Sequence, residues 1–140
     1  MPWRRKRRPG LIALDSSVLV RYLVQDDPEQ GRIAAELIEG GLSAEQPGFV
    51  STIVLIEMIW VLRSRYALGM EDVASTISGL LSARQLRVEQ RGLVESLLLA
   101  GPRDLADRII NALASRAGCS ETVTFDRRFA RLPGVRLLGA

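Results

Sequence analysis

The stretch Leu11-Ile12-Ala13-Leu14-Asp15 is a short apolar run that ends in a carboxylate. A continuous apolar run of this length is typical of a strand that is buried on both faces of a parallel sheet. Ser16 and Ser17 follow directly and can cap a helix over Val18–Val24. The stretch therefore predicts a buried strand, an acid at its carboxyl end and a helix that begins at once.

Further along the chain, candidate strands alternate with candidate helices. The other strands are predicted at Phe49–Val50, Leu86–Val88, Glu121–Phe125 and Val135–Leu138. The other helices are predicted from Asp27 to Gly40, over Ser51–Tyr66, Met70–Ala83, Leu93–Ala100 and Arg103–Ala117, and as one turn near Phe129. Such alternation predicts an α/β fold of three layers, in which helices cover both faces of a mainly parallel sheet of about four to five strands. Functional sites in such folds lie at the carboxyl ends of the strands.

The composition fits one domain with an aliphatic core, because 47% of the 140 residues are hydrophobic and 5% are aromatic. A chain of this length buries roughly 68–70% of its unfolded surface, so it needs no disulfide or structural metal to fold. Cys119 is the single cysteine, which fits a reducing compartment. No apolar run approaches the ~18 residues of a membrane span. We therefore expect a cytoplasmic protein without membrane association.

The net charge of +3 is unevenly distributed. Residues 4–8 hold five of the 19 basic residues and no acid, which leaves 14 basic against 16 acidic residues elsewhere. We expect residues 1–10 to form a basic, disordered tail and residues 11–140 to form the domain. The tail is either a solvated segment or an arm that contacts nucleic acid or a partner protein.

Asp15 and Asp126 each follow a candidate strand directly. If the two strands are parallel and adjacent, both carboxylates emerge at the same edge of the sheet. Alternatively, each carboxylate caps the helix that follows it, since Asp is a favoured N-cap residue. The two roles are compatible, and both acids are candidate site residues.

Glu57 has apolar neighbours on both sides along the chain, Val54–Ile56 and Met58–Leu62. A helix that is apolar all round is typically buried, and we expect Trp60 and Phe49 to lie in the core. The positions three and four residues from Glu57 offer it no hydrogen-bonding partner. A buried carboxylate would then need a cation, a more distant partner or a raised pKa. The alternative is that it reaches solvent at the rim of the helix.

Asp104, Asp107 and Asn111 share one face of the candidate helix Arg103–Ala117, because their spacing is i, i+3 and i+7. Two ionised acids one turn apart repel each other, and a bound cation would remove that repulsion. The alternative is that Asp104 caps the helix and that Asp107 lies on its solvated face.

The chain contains no histidine and one cysteine. This composition excludes Ser-His-Asp and Cys-His nucleophile systems, histidine-based ribonuclease chemistry and typical zinc sites. Carboxylates must therefore do the work of any hydrolytic site. Four separate segments provide them, and such an oxygen-donor set suits Mg²⁺ or Mn²⁺ better than zinc.

Four segments together resemble the motifs of PIN-domain ribonucleases, and specifically those of VapC-like toxins of type II toxin–antitoxin systems. They are Leu14–Arg21, Val50–Leu62, Asp104–Ile110 and Thr122–Phe129. The resemblance extends from Leu11 to Leu138 and implies a PIN-like fold. It departs from the family pattern at Ser17, where many members have Asn, and at Asn111, where a small apolar residue is usual.

The resemblance implies an acidic pocket that is both catalytic and metal-binding. Its members would be Asp15, Glu57, Asp107 and Asp126, with Asp104 and Thr124 in supporting positions. The implied cofactor is Mg²⁺ or Mn²⁺. Arg127, Arg128 and Arg131 could bind phosphates beside this pocket or form a solvated turn.

The implied function is a metal-dependent endoribonuclease, the toxin of a type II pair, in which an activated water hydrolyses RNA. Its partners would be the RNA substrate, a cognate antitoxin and a second copy of the chain in a homodimer. An alternative is a catalytically weak PIN domain that binds RNA or protein. A third hypothesis, an acid-rich phosphatase, gains no support from the apolar helix around Glu57.

Overall fold

Short parallel strands form the centre of the fold in a computed structural model that describes residues 10–139. The strands are β1 (Ile12–Ala13), β2 (Gly48–Val50), β3 (Leu86–Val88), β4 (Thr122–Thr124) and β5 (Val135–Leu137). The first three form a sheet in the order β1-β2-β3, and β4 pairs with β5. The predicted α/β fold with parallel strands is confirmed, and the hydrogen bonds divide its five described strands into two groups.

Helices connect the strands as the sequence predicts, with ends that agree within one turn. They are α1 (Ser16–Val24), α2 (Pro28–Ala35), α3 (Thr52–Ser64), α4 (Met70–Ser82), α5 (Arg91–Leu99) and α6 (Leu105–Arg116). The segment after α2 differs from the prediction, since it widens into a π-helix over Glu36–Gly41 before the chain enters β2. A single 3₁₀ turn, Phe129–Arg131, lies between β4 and β5. Within residues 10–139, no helix is both long and apolar enough to cross a membrane.

Helix α3 supplies much of the hydrophobic core. Leu55, Met58 and Leu62 are fully buried on one of its faces. Its first turn is fixed by the Glu89 carboxylate, which accepts a hydrogen bond from the Thr52 backbone N–H at 2.9 Å. That hydrogen bond lowers the pKa of Glu89, because it stabilises the ionised form. The start of α3 is thereby tied to the residue that follows β3.

The opposite face of α3 is open to solvent. Ile53 is 78% exposed and Trp60 is 55% exposed, and Glu57 is exposed between them. The predictions that this helix is buried all round and that Trp60 belongs to the core are wrong, and Phe49 is only half-buried. The reason is that no other element of the described chain covers this face, which carries Glu57, Arg63 and Ser64 as well as the two apolar residues. The polar residues mark the solvent-facing side of α3, but they do not indicate that Ile53 and Trp60 share it.

Gly48 marks the closest packing within the sheet. A Cβ atom at this position would lie 2.8 Å from the Leu14 Cδ1 and 2.8 Å from the Leu42 Cδ1. Both leucines are buried, so neither can move away without disturbing the core. β2 thus requires glycine where it passes beneath the residue that precedes Asp15.

The predicted basic tail, residues 1–10, lies outside the described residues except for Gly10, which is exposed.

Candidate active site

Asp15 lies at the carboxyl end of β1 and caps α1. Its carboxylate accepts hydrogen bonds from the Ser17 hydroxyl at 2.7 Å and from the Ser17 backbone N–H at 3.4 Å. These hydrogen bonds lower the pKa of Asp15 because they stabilise the ionised carboxylate, and the bond from the Ser17 hydroxyl has the larger effect. The capping role is therefore confirmed. The side chain stays exposed and anionic, with oxygen lone pairs available to a ligand.

Glu57 receives its hydrogen bond from another helix. The hydroxyl of Ser16, a buried residue at the start of α1, donates to the Glu57 carboxylate. The pattern of α3 predicted no partner for this acid, and it could not reveal one that lies 41 residues away. The partner therefore holds the carboxylate without burying it, so the predicted alternative of a solvent-exposed Glu57 is the correct one.

Asp15 and Glu57 line the same cavity, of about 260 Å³, which is called the Asp15 pocket below. Arg65 and Tyr66 line it as well. The sequence prediction missed both of these residues, which come after the predicted motif on α3. Arg21 also lines this pocket. Its guanidinium donates to Asp26 at 2.9 Å and so forms its ion pair with that acid and not with Asp15.

Asp104 and Asp107 line a second cavity, of about 200 Å³, called the Asp107 pocket. Trp60, Arg63 and Arg128 also line it. Asp104 does not cap α6 through its side chain. Its backbone adopts the left-handed region with φ of 50°, which Asp tolerates better than most residues, and its carboxylate accepts from the Arg128 Nε at 2.8 Å.

Asp107 is half-buried at the start of α6. Burial raises the pKa of Asp107, and the negative charges of Asp104 and Asp126 raise it further. Arg128 acts in the opposite direction and is the counter-charge of this acidic cluster. The structure therefore brings three of the predicted acids within electrostatic reach of one another.

Asp126 follows β4 and caps the turn after it. Its carboxylate accepts from the backbone N–H groups of Arg128 at 2.8 Å and Phe129 at 3.2 Å. Its own N–H donates to the Thr124 hydroxyl at 3.0 Å. Thr124 thus contacts the start of the loop that carries Asp126, and its supporting role at the site stays a prediction.

Asn111 serves the framework of the site. Its side-chain amide donates to the Pro133 carbonyl at 2.9 Å, and its carbonyl oxygen accepts from the Thr122 hydroxyl at 3.0 Å. These contacts join α6 to β4 and to the loop before β5. Asn111 therefore holds α6 against the β4–β5 pair, and this role explains why a polar residue occupies position 111.

A family model for the PIN domain matches residues 12–135. The chain belongs to the PIN-domain family. The match includes every predicted site residue and the larger part of the described structure. No curated protein matches the chain. PIN domains are in general nucleases that bind divalent metal ions, so family membership supports a nuclease activity for this PIN domain.

The predicted acids of the PIN domain form two groups, Asp15 with Glu57 and Asp107 with Asp104 and Asp126. Within residues 10–139, no three acidic or thiol side chains lie close enough together to hold one metal ion. The four carboxylates that the sequence predicted as ligands of one metal ion therefore do not surround a single site in this structure. Each group still fits Mg²⁺ by donor chemistry, because this ion is usually bound by one or two carboxylates with water and substrate phosphates as its other ligands. The catalytic and metal-binding roles of the acids stay predictions.

Replacement of Arg128 tests the electrostatics of the Asp107 pocket. In Arg128→Gln we expect the pKa of Asp107 to rise further, because Arg128 is the positive charge that lowers it. Carboxyl ¹³C NMR titration of the two proteins measures this shift. Arg131→Gln is the matched control, since Arg131 is on the same turn and is not among the charges that act on Asp107. An unchanged or lower Asp107 pKa in Arg128→Gln would contradict the assignment.

Proposed function

We propose that this PIN domain is a metal-dependent endoribonuclease that hydrolyses RNA phosphodiester bonds with Mg²⁺ or Mn²⁺. One observation carries the proposal: Asp107 is half-buried within electrostatic reach of two other carboxylates, Asp104 and Asp126, and its pKa is raised. Acids held together against their mutual repulsion are typical of functional sites, where a bound cation offsets the repulsion. We expect Asp107 to hold the ion with Asp104 or Asp126, and the Asp15–Glu57 pair to take part from the other pocket.

The neighbouring residues of the PIN domain position these acids. Ser16 donates to Glu57 and fixes the direction of its carboxylate. Thr124 accepts from the backbone of Asp126 and fixes the start of its loop. The Ser17 hydroxyl donates to the Asp15 carboxylate and holds it in position. Hydroxyl groups of this kind act as outer supports, and their loss typically reduces metal affinity or activity about 10- to 100-fold.

The basic residues around the two pockets match the charge of an RNA substrate. Arg65 lines the Asp15 pocket and Arg128 lines the Asp107 pocket. Guanidinium groups bind phosphate oxygens through directed hydrogen bonds. A divalent ion, when bound, supplies charge that stabilises the phosphoryl oxygens and acidifies water.

Cleavage of a labelled single-stranded RNA by the purified full chain tests this function. We expect cleavage with Mg²⁺ or Mn²⁺, none with EDTA, and products with 5′-phosphate and 3′-hydroxyl ends because water is the nucleophile. Asp15→Asn should reduce the rate more than about 100-fold, since loss of even an outer support costs 10- to 100-fold. Asp72→Asn is the matched control, because Asp72 is an exposed acid that lines neither pocket.

Cleavage that persists in EDTA, or an Asp15→Asn protein with full activity, would contradict the proposal. The separation of the acids into two groups favours one alternative, a PIN domain that binds RNA or protein without cutting it. This alternative predicts RNA binding with no cleavage in either metal.

The finer biological role follows from the motif resemblance. We propose that the protein is the toxin of a type II toxin–antitoxin pair that acts in the cytoplasm, forms a homodimer and is inhibited by a cognate antitoxin. Induction in growing cells should then arrest growth and change the ends of cellular RNA, and the Asp15→Asn protein should do neither. Unchanged growth and RNA ends with the active protein would contradict the toxin role.

A further inference from the structure

Trp60 is an exposed aromatic residue that lines the Asp107 pocket. It lies on the solvent-facing side of α3, at i+3 from Glu57 and i+7 from Ile53. Within the described part of the chain, its indole N–H has no hydrogen-bonding partner. Burial of a tryptophan in the core would gain more than burial of most other residues. A tryptophan left 55% exposed on a helix whose other face is fully packed is therefore available to a ligand.

The position of Trp60 connects the two acidic pockets. Glu57 on α3 and Arg65 directly after its end line the Asp15 pocket. Trp60 and Arg63 line the Asp107 pocket on the other flank of the same helix. Helix α3 therefore contributes residues to both pockets, and the indole ring lies on the helix that the two pockets share.

The charges beside Trp60 favour a polyanion. Arg63 and Arg65 have no carboxylate within ion-pair distance among residues 10–139. Arg63 donates one hydrogen bond to the Leu68 carbonyl at 2.9 Å and keeps its remaining donors free for a ligand. An exposed aromatic face with unpaired arginines near it is a combination by which proteins bind single-stranded nucleic acid, since bases stack on the ring and guanidinium groups hold the phosphates.

We propose that Trp60 is a stacking platform for one unpaired base of an RNA strand, with Arg63 and Arg65 bound to the phosphates on its two sides. The bound segment must be unpaired at this position, because a base inside a duplex has no free face to offer. The Asp107 pocket, at about 200 Å³, is smaller than the roughly 300–1,000 Å³ of sites for larger ligands, which fits one ring. The binding of RNA at Trp60 is independent of the proposed nuclease function. Only the cleavage of the bound strand rests on that function.

Fluorescence of Trp60 measures the stacking directly. The chain has two tryptophans, so Trp3→Phe leaves Trp60 as the sole indole emitter. The probe is a single-stranded 2′-O-methyl oligonucleotide of about 12 nucleotides, which covers the site size of such proteins and resists cleavage. In EDTA we expect saturable quenching of Trp60 emission. A duplex of the same sequence, or an abasic strand of the same length, should quench much less.

Affinity measured by anisotropy of the labelled strand provides the second test. Trp60→Ala should weaken binding about 5- to 150-fold, because stacking of one base is worth about 1–3 kcal/mol. Trp60→Phe should retain most of the affinity. Leu99→Ala is the matched control, since Leu99 is 91% exposed and lies on α5 outside both pockets. Its affinity for the strand should not change.

Two results would overturn the inference: binding of the strand without a change in Trp60 emission, or an unchanged affinity in Trp60→Ala. A Trp60→Ala protein that keeps its RNA affinity but loses self-association or binding of a protein partner would overturn it as well and assign this face to that contact. The outcome is separable from that of the nuclease assay. Stacking without cleavage removes only the nuclease proposal, and cleavage by a Trp60→Ala protein of unchanged affinity removes only the stacking platform.

Discussion

Asp107→Asn is expected to abolish RNA cleavage and at the same time to stabilise the folded PIN domain. The loss of activity should exceed about 100-fold, because the replaced group is a proposed ion ligand and not one of its supports. The gain in stability follows from the raised pKa of Asp107, which burial and the charges of Asp104 and Asp126 produce. An ionised carboxylate at this position opposes folding, and asparagine retains the shape without the charge.

The pH dependence of this gain has a defined sign. Because the pKa of Asp107 is higher in the folded protein, the favourable contribution of its protonated form is complete below the unfolded pKa and is lost as the pH rises through the folded pKa. Asp107→Asn should therefore exceed the parent protein in Tm at neutral pH, and the difference should vanish under acidic conditions. Thermal unfolding in EDTA at a series of pH values measures it.

Asp72→Asn again serves as the control, because Asp72 is an exposed acid in the first turn of α4. Its replacement should remove a favourable interaction with the helix dipole, so its Tm should not rise at neutral pH. A lower Tm of Asp107→Asn at neutral pH would show that the carboxylate stabilises the fold, which would contradict the electrostatic description of the Asp107 pocket.

Ile109→Ala is expected to cost about 2–5 kcal/mol of unfolding free energy, a large part of the roughly 5–15 kcal/mol available to a domain. Ile109 is fully buried on α6, two residues after Asp107 and on the face that packs against the core. Its truncation leaves a cavity beneath the helix that carries the acids. Equilibrium unfolding in urea, followed by circular dichroism, measures the loss.

Ile53→Ala provides the matched comparison, because it removes the same atoms from a position that is 78% exposed. Its effect should stay within about 0.5 kcal/mol, as for most surface substitutions. Equal losses at the two positions would mean that α6 is not anchored by Ile109 or that α3 is covered in solution.

Local patterns were sufficient to predict the order of the elements. The apolar run before Asp15 became β1, and the spacing of Asp104 and Asp107 placed both acids at the start of α6. These predictions succeeded because they depend on neighbours in the chain, such as the Ser17 groups that hold Asp15. The division of the five strands into two hydrogen-bonded groups depends on pairing between distant segments, and no local pattern indicates it.

The candidate site was predictable in its acids and not in their partners. Glu57 is held by Ser16 from a helix 41 residues away, and Asp104 is held by Arg128 across 24 residues. Such contacts arise from packing, so periodicity and capping rules do not contain them. The exposure of Trp60 was missed for the same reason, because packing decides whether a neighbouring element covers a large apolar side chain.

The crowding at Gly48 limits how the sequence of β2 can diverge. A larger residue there is tolerable only if Leu14 and Leu42 lose volume in the same step, since a Cβ would meet both. Leu14 immediately precedes Asp15. We therefore expect a substitution of Leu14 that makes room for a larger residue at position 48 also to displace the Asp15 carboxylate. We therefore expect homologous chains to vary at these three positions together or not at all. Conservation of the site then depends in part on a glycine that does not belong to it.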